Sequence, residues 1–136
     1  MAVLAMTSCR VELNAVDMSQ YVAAVELTLD GVELDTTDFA SGGWEEKIMG
    51  LRSSSLKVKF NDDFAATTVD DRLWPLFGTV VTLKVRPTSA AISATNPEYQ
   101  TSVLINSLAP VQGNVGDLAT QDLTWPLSGA VTRAVA

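Results

Sequence analysis

Leu56-Lys57-Val58-Lys59-Phe60 decides the fold of this chain. Apolar and basic residues alternate there with a period of two, which puts every second side chain on one face of a β-strand. Leu56, Val58 and Phe60 then face a core, and Lys57 and Lys59 face water. The pattern recurs on both sides of this stretch. Upstream, Val11 and Leu13 alternate with Arg10 and Glu12, and Val25, Leu27 and Leu29 alternate with Glu26 and Thr28. Downstream, Val81, Leu83 and Val85 alternate with Thr82, Lys84 and Arg86. Leu123, Trp125 and Leu127 alternate with Asp122 and Thr124, with Pro126 late in the run, and Val103 and Ile105 make a weaker case. One apolar face per strand marks antiparallel sheets with one solvated side. The expectation is a mainly β chain, an antiparallel β-sandwich or open barrel.

One stretch departs from this period. Thr68-Val69-Asp70-Asp71-Arg72-Leu73-Trp74-Pro75-Leu76-Phe77-Gly78 opens with a candidate cap, carries carboxylates in its first turn and stops at glycine. Val69, Leu73, Leu76 and Phe77 fall at helical spacing, and Pro75 limits the run. The spacing predicts a short helix of about two turns, lying across one sheet as a lid. Two connections are long for a compact domain, and such loops are usually functional or disordered. Residues 30–52 hold an Asp30-Gly31 turn signal, Phe39, Gly42-Gly43 and Trp44 in polar surroundings. They are expected to bind a partner and to order on contact. Residues 87–97 hold Ser, Ala and Thr between Pro87 and Pro97.

Composition narrows the chemistry. The 136 residues suit a single domain, residues 1–136, and 47% of them are apolar. Nine basic against 16 acidic residues give a net charge of -7, which disfavours sequence-tolerant grip on duplex DNA. There is no histidine, so the usual general base and the commonest metal ligand are missing. A single cysteine, Cys9, excludes an intramolecular disulfide and reads as an inert thiol. Met1 to Ser8 is apolar but short and lacks a basic start, and no run approaches the about 18 apolar residues of a membrane span. A soluble protein made in a reducing cytoplasm is expected, with no membrane partner.

No motif supplies a reaction centre. Glu45-Glu46, Asp62-Asp63 and Asp70-Asp71 are adjacent carboxylates, which point apart on a strand and read as solvated turn or cap residues. Asn61-Asp62-Asp63 lacks the rest of a calcium loop. Ser53-Ser54-Ser55 has no base to activate it, and Gly113-Asn114-Val115-Gly116-Asp117 lacks a phosphate-loop lysine and reads as a hairpin turn. Lys57, Lys59, Lys84 and Arg86 would form a basic stripe if their strands were neighbours, available for inter-subunit ion pairs. The expectation is a protein without enzyme activity, cofactor or metal.

Three stretches carry a resemblance. Val11-Glu12-Leu13-Asn14-Ala15-Val16-Asp17-Met18-Ser19-Gln20-Tyr21-Val22 resembles the strand, Asn-x-Val-Asp-hydrophobic-Ser and Tyr-Val opening of the tail tube proteins of long-tailed bacteriophages, particularly those of actinobacterial hosts. Leu34-Asp35-Thr36-Thr37-Asp38-Phe39, followed by Gly50-Leu51-Arg52, is similar to their Asp-Thr-Thr-x-Phe and Gly-Leu loop. Arg86-Pro87 through Asn96-Pro97-Glu98-Tyr99 is the third, and the likeness spans about residues 10–133.

That resemblance implies a structural virion protein. Its β-sandwich subunits would form hexameric rings, their strands joining one barrel around a lumen, and the rings would stack into a tube that conducts genome DNA during ejection. The loop at 30–52 would reach neighbouring subunits through Asp35, Thr36, Thr37, Phe39, Trp44 and Leu51. Tape measure, terminator and distal tail proteins are the implied partners, in a virion tail assembled in the host bacterial cytoplasm. Double-stranded DNA would pass without specific binding, and Glu12, Glu26 and Asp122, on polar strand faces, are the candidate acidic lumen residues. Capsid decoration and head–tail connector proteins share such short motifs and stand as the alternative. A carbohydrate- or protein-binding module, with Trp44 and Trp74 as a platform, is the other.

Overall fold

Two antiparallel sheets absorb the alternating patterns. The computed structural model describes residues 3–136. Its strands are β1 (Arg10–Leu13), β2 (Val16–Asp17), β3 (Val22–Asp35), β4 (Lys47–Asn61), β5 (Val80–Arg86), β6 (Glu98–Leu104), β7 (Thr120–Pro126) and β8 (Thr132–Ala134). One sheet has five strands in the order β2-β1-β5-β6-β8, and the other has three in the order β3-β4-β7. The sheets pack their apolar faces together. Val11, Leu13, Leu83, Val85 and Val103 come from the first, and Leu56, Val58, Phe60, Leu123 and Trp125 from the second. Each such buried side chain contributes roughly 1.5–3 kcal/mol. Trp125 is fully buried, lies 6.2 Å from the Phe60 ring and donates its indole N–H to the Ser107 carbonyl at 2.8 Å.

The expected helix is shorter than its apolar spacing suggests. Helix α1 is Val69–Leu73, and Trp74–Leu76 continues it as a 3-10 turn with Pro75 inside. Val69 and Leu73 are buried, but Phe77 is exposed, because the chain leaves the helix before its turn comes round. Thr68 holds the cap position without capping by its side chain; its hydroxyl donates instead to the carbonyls of Asp63 and Ala65.

Two further readings are corrected, and a third segment gains detail. Residues 30–52 are mostly not a loop: β3 and β4 stay paired from Glu26↔Lys57 out to Asp35↔Lys47. Residues 87–97 are ordered around Asn96, whose amide donates to the carbonyls of Thr88, Ala90 and Ala91 and whose oxygen accepts the Thr88 N–H. The Gly113–Asp117 segment turns, with the Asp117 N–H on the Asn114 carbonyl, but β6 and β7 lie in different sheets, so it closes no hairpin.

Cys9 is half-buried, and burial pushes its thiol above the ordinary value, which favours the protonated form at neutral pH.

Candidate assembly surface

The longest element is the β3–β4 hairpin, and it divides in two. At its base, Val25 and Leu27 pair with Val58 and Leu56, and β7 flanks β4 from Ser55 to Asn61. Beyond Ser54, β4 has no β7 partner, and the hairpin projects past the sandwich as a two-stranded tip. A bulge marks the change: Gly31 pairs with Arg52 but Glu33 pairs with Met49, so Gly50 and Leu51 together oppose Val32.

The bulge and the sequence of β3 switch the apolar face. In the base, Val25, Leu27, Leu56 and Val58 face the core. In the tip, Val32, Leu34 and Ile48 share the opposite face, where the Leu34 side chain covers Gly50. All three are exposed, as are Leu29, Met49 and Leu51.

The end of the tip is a stiff loop. Asp35 accepts the Thr37 N–H at 2.8 Å, and this contact together with the Thr37 hydroxyl holds its carboxyl below the ordinary value. Thr36 donates its N–H to the Glu46 carbonyl at 2.8 Å, and the Thr37 hydroxyl accepts the Glu46 N–H at 2.8 Å. A capping box between Asp38 and Ser41 sets the 3-10 turn Phe39–Ser41, and Gly42 and Gly43 follow at positive φ. Asp35, Thr36 and Thr37 therefore stitch the neck of the loop. Phe39 and Trp44 are what it displays: they are 110% and 79% exposed, which excludes folding back on their own core. Residues 30–47 carry six carboxylates and one lysine, and that lysine, Lys47, pairs with Glu33 at 2.6 Å and Glu45 at 3.5 Å.

The charged candidates separate. Glu26 lies opposite Lys57, and Lys59 opposite Asp122, on the outward face of the three-stranded sheet, where the four line one shallow pocket of about 190 Å³. Glu12 lies on the outward face of the other sheet, opposite Lys84. The three lumen candidates therefore point in two opposed directions and cannot all line one channel.

Arg86 is not a free inter-subunit cation. It forms an internal ion pair with Glu98 at 3.1 Å, and the two side chains are 14% and 6% exposed. Its guanidinium also donates to the Ala90 carbonyl at 2.8 Å, which anchors the 87–97 segment.

The sheet edges differ in kind. The five-stranded sheet ends on β2 and β8, which are two and three residues long. The three-stranded sheet ends on β3, 14 residues long, and on β7, seven residues long, whose outer edge is met at Asp122 by the Gln112 side chain and just past its end by the Val103↔Leu127 bridge. Long free edges invite pairing with another chain. Trp44 at the hairpin tip and Trp74 after α1 are both exposed and sit on separate elements.

Fold and surface thus define a β-sandwich with a projecting, aromatic-tipped hairpin and two long edge strands on one sheet. No protein-family model matches the chain, and no curated protein does. Solved structures do. A chain of the "Virion of native gene transfer agent (GTA) particle" superposes with a TM-score of 0.77 at 20% identity, over 98% of this chain and all of that one. A chain of the "Tail of empty GTA particle computed with helical refinement, C6 symmetry" superposes with a TM-score of 0.69 at 20% identity, over 92% of each. The chain has the fold of these particle components, mainly antiparallel β with one short helix.

Proposed function

We propose that this chain is a structural virion subunit that forms six-membered rings, and that the rings stack into a tail tube conducting genome DNA. The observation that carries the reading is the fold shared, over nearly the full length of both chains, with components of a virion and of a C6-symmetric tail. The edges supply a physical route. Pairing the outer edge of β3 with the outer edge of β7 in the next subunit would close the three-stranded sheets into one barrel wall and remove both edges. The short, blunt edges of the other sheet offer no such ladder.

In this arrangement the lumen face carries Glu26, Lys57, Lys59 and Asp122 rather than carboxylates alone. Opposite charges alternate across neighbouring strands, so passing phosphates meet no unbroken basic stripe. The displayed Phe39 and Trp44 serve contacts between rings, where aromatic anchors concentrate binding energy. Tape measure, terminator and distal tail proteins would cap and fill the tube, and the reading assigns the chain no catalysis.

Negative-stain electron microscopy of the purified protein over a concentration series is the test. Six-fold rings or hollow tubes with a regular axial repeat are expected. Trimers, or single rings that never stack, would reassign the chain to capsid decoration or to a head–tail connection.

A further inference from the structure

We infer that an apolar groove beside the hairpin base is the socket for the hairpin tip of a second copy of this chain. The inference deepens the assembly reading above and rests on it. The groove has a volume of about 540 Å³ and lies between the N-terminal arm and the inner face of β3. Leu4 and Met6 form one wall, Val25, Leu27 and Leu29 the other, and Tyr99 the floor. Among the described residues it is the unfilled end of the subunit's own core: the apolar stripe of β3 runs from half-buried Val25 and Leu27 to Leu29, which is 60% exposed.

A chain cannot fill this groove with its own tip. The groove opens on the core-facing side of β3, and past the bulge Val32, Leu34 and Ile48 stand on the other side of the hairpin. Two unpartnered apolar surfaces of one molecule that face away from each other are satisfied by a head-to-tail contact between copies, which closes into a ring or continues as a filament. Charge does not oppose this contact. The tip is acidic, with six carboxylates and one lysine over residues 30–47, and the groove lining holds no carboxylate.

Cys9, the single cysteine of the sequence, lines the groove and reports on it directly. The experiment pairs it with Ile48→Cys in assembled protein under mild oxidation, and images the same sample by electron microscopy. A ladder of covalently linked multimers is expected, lost when Cys9→Ser is added and absent when Leu118→Cys in the loop before β7 replaces Ile48→Cys. In wild-type assemblies, thiol modification of Cys9 is expected to slow about tenfold or more relative to the monomer, which corresponds to about 1.4 kcal/mol of closure. Tubes or rings with no ladder, and with Cys9 reacting at the monomer rate, would overturn the socket and leave the assembly reading standing. A ladder in discrete oligomers that never become rings or tubes would support the socket and overturn the tube. Protein that stays monomeric with Cys9 freely reactive overturns both.

Discussion

The base and the tip of the β3–β4 hairpin are continuous in sequence and share one hydrogen-bonded ladder. In the base, apolar side chains at every second position meet a second sheet, and the outward face is polar. In the tip, Val32, Leu34 and Ile48 stand on the other face, and they remain largely exposed, with Leu34 resting on Gly50. A strand that served only its own core would keep one apolar face throughout, since a one-residue slip exchanges the two faces. The difference teaches that one ladder can carry two apolar faces, of which the subunit's own core uses only the one at the base.

The largest effect should come from the base. Trp125→Ala removes a fully buried indole and is expected to cost about 3–5 kcal/mol, read as a lower midpoint of denaturant unfolding. A cost near zero would mean that the sandwich core does not support the hairpin. Next comes amide exchange. The buried ladder around Leu56, Val58 and Phe60 should open only with global unfolding, and the exposed loop at 38–44, bonded only within itself, should exchange faster than the ladder in the monomer and slow on assembly. Uniform protection along the hairpin would erase the contrast.

In the tip, Leu34→Asp and Trp44→Ala should each leave monomer stability within about 0.5 kcal/mol while weakening association in sedimentation. Unfolding of either variant would return the tip to an intramolecular role. The smallest effect concerns Asp62, at the far end of β4. Partial burial pushes its carboxyl above the ordinary value, although its oxygen accepts the Gln121 amide at 2.7 Å. The folded chain therefore holds the proton more tightly than the unfolded one, and the stability so contributed is full in acid and lost as pH rises through the folded value. Asp62→Asn should stabilise slightly at neutral pH and make little difference near about pH 3, where both states are protonated. Asp17, held low by the Ser19 hydroxyl, works with the opposite sign and costs stability on acidification.

The sandwich was legible because its six main strands repeat one simple period, and Leu56 to Phe60 shows it without interruption. The tip was not, because Leu29 and Val32 are three positions apart rather than two, and Asp30-Gly31 between them has the chemistry of a turn. In fact Gly31 sits within a strand, with the Met49 side chain folded over it. β2 and β8 are too short to show a period at all. Phe39 and Trp44 could be picked out as displayed aromatics, whereas Asp35, Thr36 and Thr37 hold the loop together rather than leave it. The Arg86 ion pair was not legible because Glu98 reaches it only through the pairing of β5 with β6, a contact set by topology. The groove combines residues from the N-terminal arm, β3, β5 and β6, and no local pattern announces it.

The bulge also has a mechanical consequence. Gly31 and Gly50 lie on facing strands at the point where the hairpin leaves the support of β7. Met49 and Leu34 fold over these two glycines, and the hairpin beyond is a cantilever clamped at Ser55 that hinges at its own root. A lattice of subunits joined through such arms would take up bending strain there, in many small rotations, and keep its contacts intact while its axis curves.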